Sequence, residues 1–179
     1  HYRLHRDLEI AVLDGERRLG NGLLLPAGPL REGASRLRSV DLVLVNDGKA
    51  EDGEFALQSR IGRLRALDGS VHGTLEVLRG QHVRVVAGIG NPGRFFTLLR
   101  GAGLDFAELP LPDHYDFREN PFAHVDADVI LITVKDAVKC GQLENLKDDP
   151  RLWVVPVSAR IDPALAEHIV EQCRGRSPA

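Results

Sequence analysis

The 179-residue sequence contains no methionine, one tryptophan, two tyrosines and two cysteines. Cys140 and Cys173 lie far apart and form no C-x-x-C pair, which argues against a disulfide framework or a zinc site and for reduced thiols. No apolar run approaches the roughly 18–20 residues that cross a bilayer, and none has the pattern of a signal peptide. An excess of basic charge is also lacking: 23 Lys and Arg are interleaved with 26 Asp and Glu for a net charge of −3, so no basic field for nucleic acid is expected. The missing methionine has a further consequence. The chain begins with His1, and an initiator methionine is normally removed only ahead of a small residue. These residues are therefore expected to be part of a longer chain whose start lies upstream. What is present, 43% hydrophobic residues, can fill the core of one ordinary domain or two small lobes.

The stretch from His82 to Gly103 organises the sequence. Val83, Val85, Val86 and Ala87 form a short apolar run, followed by Gly88-Ile89-Gly90-Asn91-Pro92-Gly93 and then Arg94 to Arg100. This predicts a buried strand, a glycine turn and a helix with Phe95, Phe96, Leu98 and Leu99 at its apolar positions. Gly88, Gly90 and Gly93 spell G-x-G-x-x-G, the context in which a backbone approaches a pyrophosphate. Glu108, 20 residues beyond Gly88, would be the ribose acid of a dinucleotide-binding oxidoreductase or binding module. It falls within the next strand pattern rather than at its end, which weighs against that reading.

Elsewhere, Leu8–Asp14 and Val40–Asn46 predict strands, and Asp14 before Gly15 suits a turn. Between them, Gly20–Leu30 is an apolar run broken by glycine and proline, neither helix nor strand. Such a loop packs on another part of the protein or faces an apolar ligand, and Arg31 and Glu32 stand at its polar exit. Residues 49–68 turn polar, and 69–80 suggest a hairpin or connector, the best boundary between lobes. From Val83 onward strands and helices alternate, through Leu104–Pro110, Asp128–Thr133, Leu152–Val157 and a closing helix Pro163–Cys173, so a parallel sheet is expected.

Chemistry is sparse. Asp113-His114 follows a strand end, where open α/β sheets place ligands, and a histidine with a pKa near 6.5 can remove a proton if a carboxylate orients it. Thr133-Val134-Lys135-Asp136 also follows a strand end: Lys135 has the chemistry to meet a phosphate, and helix capping accounts for Asp136. No G-x-S-x-G is present, and His1 and His5 lack the H-E-x-x-H context for zinc.

In combination these segments resemble the tetraacyldisaccharide 4′-kinase family. The matching stretches are His1–Ile10, Gly20-Asn21-Gly22 through Leu25–Glu32, and Ala87-Gly88-Ile89-Gly90-Asn91-Pro92. Arg94-Phe95-Phe96, Asp113-His114-Tyr115-Asp116-Phe117 and Thr133–Lys139 follow in the family's order, with Val134 where the family more often has Glu. The resemblance implies a P-loop NTPase-like α/β/α architecture of two lobes with mostly parallel sheets. Residues 1–50 would end the P-loop lobe, 51–82 would form a linker with a short hairpin, and 83–175 would form the second lobe. It implies transfer of the γ-phosphoryl of ATP, with Mg2+, to the 4′-hydroxyl of an acylated glucosamine disaccharide 1-phosphate in lipid A biosynthesis. The setting would be the cytoplasmic face of the inner membrane. The family's membrane-associating segment, P-loop and Mg2+-binding acids would precede His1, so no nucleotide or metal ligand is expected in these residues, and the 179 residues alone are expected to lack activity. His114 would be the catalytic histidine, with Asp113 beside it, and Arg31, Glu32 and His1 would lie on the substrate side.

Overall fold

The computed structural model describes residues 6–112 and 115–174. Packing divides the chain into two units: residues 1–59 with 159–179, and residues 60–158.

The first unit is built on β1 (Ile10–Asp14), β2 (Leu42–Asn46), β3 (Glu54–Ile61) and β10 (Val157–Ile161), in that sheet order. β1 pairs parallel with β2, and β2 parallel with β3. β2 is the buried strand of this sheet, and its Leu42 and Leu44 pack against Leu165 of the closing helix α3 (Pro163–Arg174). The amphipathic pattern of α3 is legible in sequence, but its partner is not: it covers the first sheet, to which β10 just before it also belongs, although the apolar run Leu152–Val155 lies in the second. The units thus differ from a division at residues 50 and 82. β3, in the stretch read as merely polar, carries the first unit's sheet past residue 50.

The second unit holds a six-stranded sheet. The added strands are β4 (Leu64–Ala66), β5 (His72–Gly73), β6 (Val83–Ala87), β7 (Ala107–Pro110), β8 (Val129–Thr133) and β9 (Leu152–Val155). Their spatial order is β5-β4-β9-β8-β6-β7. The four strands from β9 to β7 are parallel, whereas β4 joins β9 and β5 antiparallel. Of the hairpin or connector expected over residues 69–80, the hairpin is β4–β5, starting earlier at Leu64 and extending this sheet, and Leu75–Leu78 form a short 3-10 helix.

Continuous apolar runs arise because both faces of the sheet are covered. Val83, Val85, Leu131 and Val155 face a cluster completed by Phe95, Phe96 and Leu99 of helix α1 (Pro92–Gly101). Val86, Ile130, Ile132 and Val154 point to the opposite face, against Ala137 and Cys140 of α2 (Val134–Cys140) and the loop residues Phe117 and Phe122. Proline at the first turn starts α1, and Gly103 at φ 83° follows its end, where Leu104 donates back to the Leu99 carbonyl.

Candidate active site

Parallel strands bring their carboxyl ends to one edge of the second unit's sheet, and ligand-facing loops gather there. β6 ends at Ala87, β7 at Pro110 and β8 at Thr133, so the glycine turn, Leu111 and Pro112 after β7, and the head of α2 share that edge.

Thr133 caps α2: its hydroxyl oxygen accepts from the Asp136 amide at 3.2 Å. Asp136 is in the first turn, as expected of a capping group, but its carboxylate does more than cap. Oδ2 accepts from the Thr133 hydroxyl at 2.7 Å and from the Gly88 amide, on another strand's turn, at 3.1 Å. The residue is fully buried, and Oδ1 has no hydrogen-bond donor among the described residues. A Cβ on Gly88 would stand 3.0 Å from that oxygen and 3.6 Å from the Tyr115 Cβ. One turn along α2, Lys139 donates to the Tyr115 carbonyl at 2.6 Å and lies 5.7 Å from the Phe117 ring centroid.

This packing accounts for the first glycine of the G-x-G-x-x-G match without a pyrophosphate. A Cβ on Gly93, in the first turn of α1, would meet only Asn91 Oδ1 at an ordinary 3.8 Å. Glu108 lies within β7, beside Val85 in the register, and pairs with Arg100 at 2.6 Å. It is not at a strand end facing a ribose. Lys135 is exposed on the first turn of α2. Buried Cys140, on the same helix, is pushed up to about 12 by burial and then by the Asp136 charge, which keeps it a thiol.

The first unit positions the remaining predicted residues. Asp14 Oδ1 accepts from the Glu16 and Arg17 amides, the turn role expected of it. The Gly20–Leu30 loop is organised by Asn21, whose amide donates to the Ala27 carbonyl at 3.0 Å and accepts from the Leu23 amide at 3.1 Å. A side chain at Gly28 would collide with Asn21 Oδ1 and the Leu23 carbonyl. The loop presents Leu23, Leu24 and Leu25 outward, each at least half exposed. Arg31 is exposed at its exit. Glu32 reaches Arg36 at 3.7 Å, and Arg36 in turn binds Glu9 at 2.7 Å. The Arg36 and Arg6 guanidiniums hold the Glu9 carboxyl below its ordinary range. The predicted substrate-side His1 and the catalytic pair Asp113 and His114 lie outside the described residues. Sequence reasoning assigned Asp136 to capping alone; a buried carboxylate bound to another strand's turn has no local sequence signal.

Fold and edge define the class: a two-unit α/β protein whose loops collect at the carboxyl end of a parallel sheet. The profile of the tetraacyldisaccharide-1-P 4′-kinase family matches residues 1–174, and the chain belongs to that family. It is 54% identical to the tetraacyldisaccharide 4′-kinase of Janthinobacterium sp. (strain Marseille) and 50% identical to that of Herminiimonas arsenicoxydans, in each case over all of this chain and 54% of the relative. Identity to the Methylobacillus flagellatus protein of that name is 47%, over 95% of this chain and 50% of the relative. The chain thus spans about half the length of these relatives. The crystal structure of Aquifex aeolicus LpxK, described as an "apo" form in complex with ATP, superposes with a TM-score of 0.69 at 24% identity. That match covers 95% of this chain and 54% of the other, and it shows a shared α/β fold with parallel sheets.

Proposed function

We propose that the protein to which these residues belong transfers the γ-phosphoryl group of ATP to the 4′-hydroxyl of tetraacyldisaccharide 1-phosphate. The observation that carries this reading is the family match along residues 1–174. In such a transfer the hydroxyl oxygen forms a bond to the γ-phosphorus, the bond to the bridging oxygen of ADP breaks, and the hydroxyl proton leaves to a base. Little covalent work falls to the protein, so positioning and charge stabilisation dominate.

His114 is the proposed acceptor of that proton, with Asp113 beside it in the sequence; Tyr115, the next residue, has its backbone carbonyl held by Lys139. Arg31 and Glu32 are proposed on the substrate side, Arg31 offering a planar fork to a phosphate. His1 is placed there by its position in the family pattern. The outward leucines of the Gly20–Leu30 loop suit the acylated part of the substrate. Among the described residues no group of three or more His, Cys, Asp or Glu could hold a metal ion. The described residues therefore offer no clustered ligand set for Mg2+. ATP is the proposed phosphoryl donor and Mg2+ its proposed companion in the whole protein, as the family match supports. No helix among the described residues is long and apolar enough to cross a membrane. The proposed setting is the cytoplasmic face of the inner membrane, where the acylated substrate lies, and no nucleic-acid partner is proposed.

The test is phosphoryl transfer from labelled ATP to the lipid acceptor by the full-length enzyme and its His114→Ala variant. A drop in kcat of roughly 10²–10⁴ with the fold intact is expected. An unchanged kcat overturns the assignment of His114, and absence of transfer by the unmodified enzyme overturns the function.

A further inference from the structure

We propose that Asp136 is a positioning residue that orders the turn after β6 and the backbone at Tyr115, the residue that follows the proposed base His114 in the sequence. The proposal deepens the function proposed above and rests on it for the role of His114.

A helix cap does not require the Asp136 side chain. The Thr133 hydroxyl already accepts from the first-turn amide, and capping groups ordinarily sit in solvent contact at a helix end. Here the carboxylate is fully buried, and one oxygen is left without a donor among the described residues. Native proteins leave buried polar atoms unpaired rarely, because the loss of hydration is not repaid. What the arrangement achieves is a three-way junction. Oδ2 holds the Gly88 amide, while the bare Gly88 Cα lets Oδ1 and Tyr115 Cβ close in on the same spot. Lys139, on the same short helix, grips the Tyr115 carbonyl. Helix α2 therefore fastens the ends of two neighbouring loops with two side chains three residues apart. Tyr115 directly follows His114 in the chain. The junction fixes the backbone at Tyr115, one residue along the chain from His114.

The experiment uses the full-length enzyme with Asp136→Ala and Asp136→Asn, read by amide hydrogen exchange and by steady-state kinetics. Asp136→Ala removes both acceptor bonds. Exchange in residues 111–117 is expected to quicken while β8 stays protected. The kcat is expected to fall by about tenfold to a hundredfold, the scale of a misplaced catalytic group, with the KM for ATP unchanged. Asp136→Asn, whose amide oxygen accepts the same two bonds, is expected to restore both readouts. If Asp136→Ala does not fold, Lys139→Met, which frees the Tyr115 carbonyl, is read for the same local exchange. The proposal is overturned if exchange in 111–117 is unchanged, or rises only together with that of β8. Should the unmodified enzyme transfer no phosphate, the functional reading falls, and the exchange data still decide whether Asp136 orders this segment.

Discussion

Replacing Gly88 by Ala separates a packing role for the glycine turn from a phosphate-cradling one. The new Cβ would stand 3.0 Å from Asp136 Oδ1, inside the roughly 3.3–3.6 Å of a close carbon–oxygen contact, and 3.6 Å from Tyr115 Cβ. Asp136 has little room to retreat, since its other oxygen is held by Gly88 and Thr133 and the residue is fully buried. Overpacking of this kind costs about 1–3 kcal/mol. Loss of backbone freedom in the unfolded chain offsets about 0.4–1 kcal/mol of that. A net loss of about 1–2 kcal/mol remains, which lowers Tm by roughly 4–8 °C per kcal/mol for a unit of this size. Calorimetry of the full-length protein measures it, alongside Asp136→Ala and the double variant. Because Asp136→Ala removes the colliding oxygen, the double variant should cost less than the sum of the singles. A Gly88→Ala protein as stable as the parent, or strictly additive costs, would refute the steric reasoning.

Two further outcomes follow from the electrostatics. Cys140 is buried with its thiol pushed up to about 12, whereas Cys173 is exposed, so a thiol reagent at about pH 8 should label Cys173 alone in the native protein; labelling of both without denaturant contradicts this. Burial pushes the Asp149 carboxyl up, but the Arg151 guanidinium, bonded to it at 2.8 Å and 3.0 Å, and the Arg151 backbone amide together outweigh burial and leave it below the ordinary value. With the folded value below the unfolded one, the unfolded chain binds more protons between the two. The stabilisation is therefore present above about pH 4 and lost as pH falls through the folded value. In Arg151→Met the guanidinium is gone and only the backbone amide of residue 151 still opposes burial, so the loss should begin at higher pH; superimposable acid limbs in denaturation curves would count against the pairing.

Much of the second unit was legible from local pattern. The apolar runs at Val83–Ala87 and Val129–Thr133 are strands because a sheet covered on both faces demands apolar residues in succession. β3 was not legible: along Glu54–Ile61 no residue is buried, so no clean alternation marks it. β10 is exposed along its whole length, for the same result. His114 stood out through the family pattern around it. An isolated Asp-His pair in a loop carries little information, since turns and solvated surfaces use the same residues.

By itself, the sequence determined the α/β alternation, the glycine turn ahead of α1 and the order of motifs that defines the family, because these depend on neighbours within a few residues. Tertiary structure alone decided that α3 covers the first sheet, and that Gly88 is glycine because a buried carboxylate from residue 136 lies against it. Contacts across 48 residues of chain leave no periodicity to read. They exist only once the parallel strands have brought their carboxyl ends to one edge.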